Sequence, residues 1–176
     1  RTSFPQDGYR MYFIDNHDEN SWNGTINESY GDAQYVFMAM NYMLPGMPLV
    51  YSGQEYDLNK RLHFFEKDSF PKIKGKTMEF LKQMGALKNN HKALATGSNG
   101  GSFKRILSTK DNQIFAFERE KNGDTLVVVA NLSNGYSQFT MPYDGEFKRY
   151  QDFKVKRLSS SYQYDMKPWE FWILIK

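Results

Sequence analysis

The sequence predicts an α/β unit over residues 1–96, followed by an all-β antiparallel sandwich over residues 97–176. Three observations predict it. Strand and helix patterns alternate through the first half, Gly97-Ser98-Asn99-Gly100-Gly101 interrupts the chain, and after it the apolar period falls to two. Strands alternating with helices build a parallel sheet, because each helix carries the chain back to start the next strand in the same direction.

The elements follow in order. Met11-Tyr12-Phe13-Ile14 is a short apolar run ending in the polar cluster from Asp15 to Asn20, which reads as a buried strand entering a loop. Tyr30 to Leu44 is nearly all apolar and long enough for a helix buried on most sides, and Pro45-Gly46 stops it. Met47 to Tyr51 reads as a second strand, closed by Ser52-Gly53. After a polar loop, Lys76 to His91 sets Met78, Leu81, Met84 and Leu87 on one helical face. Beyond the glycine-rich linker, strands are expected at 102–107, 113–119, 125–131, 136–141, 147–151 and 169–175. Turn sequences such as Lys110-Asp111-Asn112 and Lys121-Asn122-Gly123-Asp124 divide them, a spacing that suits a small sandwich.

Composition narrows the function classes. Hydrophobic residues make up 40% and charged residues 24%, as in globular proteins. The formal net charge is +3 and the basic residues are scattered, which argues against a nucleic-acid partner or a membrane surface. There is no cysteine, so disulfides and thiolate metal sites are excluded. No apolar run is long enough to span a bilayer. The opening Arg1-Thr2-Ser3-Phe4-Pro5 lacks a basic start followed by an apolar stretch and so does not read as a signal peptide. It also lacks Met, which fits either processing or a start within a longer protein, and the motifs below favour the second.

In parallel α/β barrels, catalytic groups sit where strands end. Two polar strand ends stand out: Asp15-Asn16-His17-Asp18-Glu19-Asn20 with Ser21-Trp22, and Gly46-Met47-Pro48-Leu49-Val50-Tyr51-Ser52-Gly53-Gln54-Glu55. Together they resemble the α-amylase family of glycoside hydrolases. Asn16-His17-Asp18 matches the motif at the end of barrel strand seven, and Gly46, Pro48, Tyr51, Gly53 and Glu55 match G-x-P-x-x-Y-x-G-x-E at strand eight. Lys60 to Asp68 resembles the segment that follows in bacterial members, and the strand-rich tail resembles the sandwich called domain C.

The resemblance implies a partial (β/α)8 barrel, its last βα units, capped by domain C. It implies cleavage of α-1,4-glucosidic bonds in starch-like glucans with retention. Asp18 is then the carboxylate that stabilises the transition state, and Asn16, His17 and Trp22 bind the sugar. Tyr51 and Glu55 are structural at the barrel mouth. The family's nucleophile lies two residues beyond an arginine, yet no arginine here is followed two positions on by aspartate. The nucleophile and the acid/base glutamate are therefore expected in the remainder of the barrel, which becomes a required partner beside the α-glucan itself. Calcium is common in the family, but no ligand for it and no other cofactor is assigned in this chain. An α-glucan transglycosylase, an α-1,6-glucosidase or a non-catalytic carbohydrate-binding fragment are the alternatives. The substrate class favours secretion or the periplasm and leaves the cytoplasm open.

Plainer readings stand beside these. Trp22 is read either as core cover or as a ring stacked on a pyranose. Arg61 and His63 are expected to pair with Glu66 and Asp68, and the aromatics of the second half are expected to be core.

Overall fold

Two short strands, β1 (Met11–Tyr12) and β2 (Met47–Pro48), pair in parallel with Met11 opposite Met47 and Tyr12 opposite Pro48. They belong to a computed structural model that describes residue 5 and residues 8–176. The strands are shorter than the apolar runs suggested, because the ladder lasts only while both chains keep their hydrogen bonds. Met47 N donates to Arg10 O at 2.7 Å and Leu49 N to Tyr12 O at 2.8 Å. Gly46 makes the approach possible. A Cβ there would run into the Tyr12 ring and lie 2.6 Å from the Arg10 carbonyl oxygen, so any side chain would push the strands apart.

Between the strands the chain turns helical. The single helix expected over Tyr30 to Leu44 is instead α1 (Ile26–Tyr30), a 3-10 turn (Gly31–Ala33) and α2 (Gln34–Met43). A capping box explains the early start: Thr25 accepts from the Glu28 amide while the Glu28 side chain accepts from the Thr25 amide. Gly31, at φ 49, then sits in backbone that favours glycine and separates the two helices. Helix α2 buries Val36, Met38, Ala39, Met40 and Met43. Helix α3 (Lys76–Asn90) buries Leu81, Met84 and Leu87 as its pattern requires, with Thr77 rather than Met78 completing the buried row. Thr77 takes that place because its amide and hydroxyl both donate to the Asp57 carboxylate.

By contacts the chain divides into two units, residues 1–90 with 96–98, and residues 91–95 with 99–176. Where the sequence suggests one boundary near residue 96, the division is interleaved. Residues 91–95 join the strand-rich unit because Asp124 holds them: its carboxylate accepts from Ala93 N at 2.9 Å and meets His91 Nδ1 at 2.7 Å.

The second unit is an antiparallel sheet of six strands with a two-stranded ribbon. The strands are β3 (Ser102–Ile106), β4 (Ile114–Lys121), β5 (Asp124–Asn131), β6 (Ser137–Phe139), β7 (Gly145–Arg149), β8 (Val155–Leu158), β9 (Tyr164–Met166) and β10 (Phe171–Ile175). The sheet runs β3-β4-β5-β10-β7-β8, and β6 pairs with β9. Asn122 and Gly123 turn the β4–β5 hairpin with φ 54 and 85, the left-handed pair that a two-residue hairpin loop of matching twist demands. Val127, Val129, Trp172 and Leu174 of the sheet share one buried cluster with Phe139, Met141, Tyr164 and Met166 from the ribbon region. Strands β8 and β9 lie outside the strands expected from the sequence, because they are only four and three residues long. Strand β10 starts at Phe171 rather than Trp169, because Trp169 turns at φ 58.

Candidate functional site

The end of β1 delivers a run of polar side chains with different fates. Asp15 is buried, and its carboxyl is pushed up to about 6. Burial is the main cause, and the nearby Glu19 charge adds to it. Hydrogen bonds from Asn20 and from the Asn16 amide pull the other way. The Asn16 carbonyl side chain accepts from Glu19 N at 2.8 Å and so starts the π-helical turn Glu19–Asn23. His17 and Asp18 point away from this packing. Their side chains are 66% and 60% exposed, with Nε2 and Oδ2 3.7 Å apart. Asp18 precedes the turn without capping it through its side chain, so no hydrogen bond among the described residues engages that carboxylate. It is available.

The loop after β2 is tied to this turn at several points. Buried Asn20 accepts from Leu62 N at 2.8 Å and donates to Asp15, and Ser21 Oγ donates to Leu62 O at 2.7 Å. Thr25 Oγ1 donates to Asn59 at 2.8 Å. His63 pairs with Glu66 as expected, at 3.2 Å. Arg61 does not pair with Glu66 or Asp68. It forks onto Glu28, with Nε and Nη2 at 3.0 and 3.2 Å, because the capping box already holds that carboxylate at the start of α1. The Arg61 hydrogen bond, helped by the Thr25 amide, holds the Glu28 carboxyl down at about 2. Asp68 is taken by Lys60 instead.

This fastened loop carries Phe64 and Phe65, which sequence reasoning passed over. The Phe64 ring centre lies 5.5 Å from His17, 5.2 Å from Trp22 and 4.7 Å from Phe65. Trp22 is 59% exposed and Phe65 86% exposed. The only signal for these residues was an aromatic pair inside an otherwise polar stretch.

At the end of β2, Gly53 turns at φ 94 and Leu58 occupies the space a Cβ would need. The Gly53 amide donates to Glu55 Oε2 at 3.0 Å, and Tyr51 N donates to Gln54 Oε1 at 3.2 Å. The Tyr51 hydroxyl is pushed up, first by burial and then by the Asp15 charge. The site thus sets His17 and Trp22 around Phe64, with Asp18 beside His17. Glu55 serves its own turn. A pocket of about 240 Å³, lined by Gln34, Tyr35, Asp57, Asn59 and Thr77 among others, includes none of the expected site residues. No group of three or more His, Asp or Glu side chains among the described residues is placed to hold a metal ion such as calcium. No described helix is long and apolar enough to cross a membrane.

Over nearly the whole chain the fold is similar to part of solved α-amylase structures. A noncanonic maltogenic α-amylase from Thermotoga neapolitana superposes with a TM-score of 0.81 at 16% identity, over 98% of this chain and 42% of that one. An α-amylase from Geobacillus thermoleovorans, complexed with acarbose, gives 0.68 at 18% identity, over 95% and 38%. The cyclomaltodextrin glucanotransferase CldA gives 0.67 at 15% identity, over 95% and 36%. In sequence, the β/α-amylase of Paenibacillus polymyxa is 26% identical over 128 residues, which is 69% of this chain and 10% of that protein. The chain therefore spans about two fifths of the solved structures it matches and a tenth of that relative. No protein-family model matches.

Proposed function

We propose that the chain is the C-terminal part of a glycoside hydrolase that cleaves α-1,4-glucosidic bonds in starch-like glucans with retention. Residues 1–96 are then the last βα units of a (β/α)8 barrel, and residues 97–176 its domain C. One observation carries the reading: the Asp18 carboxylate stands exposed at the end of a parallel strand, beside His17, with no structural hydrogen bond among the described residues. A strand-end carboxylate left unspent by the fold is what an α/β barrel presents to substrate.

Retaining hydrolysis uses two carboxylates about 5–5.5 Å apart, one attacking the anomeric carbon and one protonating the leaving oxygen. The remainder of the barrel supplies both. Asp18 grips sugar hydroxyls as the ring flattens and positive charge develops, an interaction that strengthens towards the transition state and so raises turnover. His17 binds the same sugar with a ring that both donates and accepts, and the Asn16 amide group lies next to it. Tyr51 and Glu55 brace the barrel mouth. The bond from Gly53 N to Glu55, which fixes the β2 turn, supports that role. Transfer to a sugar hydroxyl instead of water is the second reading, favoured by the shared fold of a cyclomaltodextrin glucanotransferase.

The test is Asp18→Asn in the intact protein. Asn keeps the size and loses the charge. A charge-assisted hydrogen bond contributes about 1.5–3 kcal/mol, so turnover on a maltooligosaccharide should fall at least tenfold to a hundredfold, with the melting temperature unchanged. Early melting with full turnover per folded molecule would make Asp18 structural and sink the assignment.

A further inference from the structure

We infer that Asn134 is the chain's site of spontaneous deamidation, where the Gly135 backbone nitrogen displaces the side-chain amide and leaves an isoaspartate that loosens the loop between β5 and β6. The inference stands apart from the glucan reading and concerns the second unit alone.

The chemistry is internal to the chain. The backbone nitrogen of the residue after an asparagine attacks Cγ, a nitrogen–carbon bond forms, and the Cγ–Nδ2 bond breaks. Ammonia leaves with the proton that the backbone nitrogen gives up, and a cyclic imide remains. Water then opens either carbonyl of the imide. One opening gives aspartate; the other breaks the original backbone bond and gives isoaspartate, with one more carbon in the main chain. Glycine is the neighbour that hinders the attack least, because it has no Cβ.

The sequence holds four Asn-Gly pairs, at 23–24, 99–100, 122–123 and 134–135. The fold restrains three of them. Gly24 N donates to Glu19 O at 2.9 Å, while Asn23 Nδ2 donates to Glu19 Oε2 at 2.8 Å. Asn99 ends a 3-10 turn (Gly97–Asn99), and its carbonyl accepts from Lys121 Nζ at 2.8 Å. Gly123 N donates to Glu120 Oε1 at 2.9 Å in the β4–β5 turn. An amide proton held in a hydrogen bond must be freed before its nitrogen attacks, which slows the reaction. Asn134 and Gly135 lie outside helix and strand. Among the described residues, neither the Asn134 side chain nor the Gly135 amide has a hydrogen bond. Asn134 is also exposed, so water reaches the imide.

The consequence follows from what Gly135 holds. Its carbonyl accepts from Asn131 Nδ2 at 2.8 Å and from Ser133 Oγ at 3.3 Å. Asn131 is fully buried, and its Nδ2 also donates to Lys167 O at 2.9 Å. One amide group therefore ties the end of β5 both to this loop and to the segment leading from β9 to β10. An added main-chain carbon at residue 134 displaces the Gly135 carbonyl and leaves buried Asn131 short of a partner, which a buried polar group tolerates poorly. The displacement also reaches β6, which begins at Ser137 and supplies Phe139 to the buried cluster.

Peptide mapping supplies the test. The full chain is aged in mildly alkaline buffer, digested and weighed by mass spectrometry, with isoaspartate separated from aspartate by chromatography. Asn134 should convert about fivefold faster than Asn23, Asn99 or Asn122, the factor that one hydrogen bond supplies. Gly135→Ala should slow that conversion without disturbing the fold, since nothing lies within 4 Å of the added methyl. Glu120→Ala frees the Gly123 amide and should speed conversion at Asn122. The aged wild type should melt below the fresh protein. Asn134→Gln aged alike, and fresh Asn134→Asp, which lacks the extra carbon, should both melt with the fresh wild type. Conversion at Asn134 no faster than at the other three, or an unchanged rate at Asn122 in folded Glu120→Ala, overturns the assignment. Equal melting of the aged wild type and aged Asn134→Gln overturns the loosening.

Discussion

At the scale of single residues, two neighbouring aspartates have opposite fates, and the difference is solvent. Asp15 is buried against Asn20, whereas Asp18 faces water beside His17. For Asp15 the folded value of about 6 lies above the ordinary 3.8, so the folded state favours the protonated form. The stability it contributes is full below about pH 4 and is lost as the pH rises through 6. Asp15→Asn carries no charge to desolvate. It should be more stable than the wild type at pH 7.5 by about 2–3 kcal/mol, and equal to it near pH 3.5. Urea melts at the two pH values check this, and an Asn variant less stable at pH 7.5 would show that the carboxylate has a partner worth more than its burial costs.

At the scale of elements, the closest tolerance is at Gly46. Strand β2 meets β1 only because no Cβ stands between the Gly46 backbone, the Tyr12 ring and the Arg10 carbonyl. Gly46→Ala should destabilise the first unit by about 1–3 kcal/mol and expose the amides of Met47 and Leu49 to hydrogen exchange, since overpacking there parts the strands. Unchanged protection of those two amides would mean that the ladder absorbs the methyl. In the second unit the fastening is electrostatic. Burial alone would raise the Asp124 carboxyl, but bonds from the Ala93 amide and from His91 outweigh it and leave it lowered. Its contribution is present above the ordinary carboxylate range and lost as the pH falls through the lowered value. Asp124→Ala should therefore cost about 1–3 kcal/mol at pH 7 and progressively less in acid, read from thermal melts across that range. A cost independent of pH would assign the effect to packing instead.

At the scale of the whole molecule, the second unit carries a cluster that closes on itself, sheet against ribbon, while the first leaves Met11, Phe13, Met47 and Val50 exposed on or beside its two strands. Parallel strands are ordinarily covered on both faces. On the proposed function, the chain by itself should not turn over a chromogenic maltoside, because neither the nucleophile nor the acid/base of that reaction is assigned within it. Turnover that follows the purified chain through successive columns would refute that division of labour.

Taken alone, the sequence determined the features that depend on near neighbours. Short apolar runs bounded by turn residues marked β4 and β5, Asn122-Gly123 marked their turn, and the spacing of Leu81, Met84 and Leu87 marked α3. Two strand-end motifs marked the paired strands β1 and β2. Each is a local rule of periodicity or backbone preference, legible without knowing what lies across the molecule. Only the tertiary structure decided the rest. It brought Phe64 against His17 and Trp22, gave Arg61 to Glu28 rather than to its neighbours in sequence, and joined residues 91–95 to the strand-rich unit through Asp124. It also split the expected long helix at Gly31. The tertiary contacts join residues some 30 to 50 positions apart, and their choice among chemically equivalent partners depends on distance in space. Burial separated Asp15 from Asp18 for the same reason: three positions apart in sequence, they differ only in what the fold sets around them.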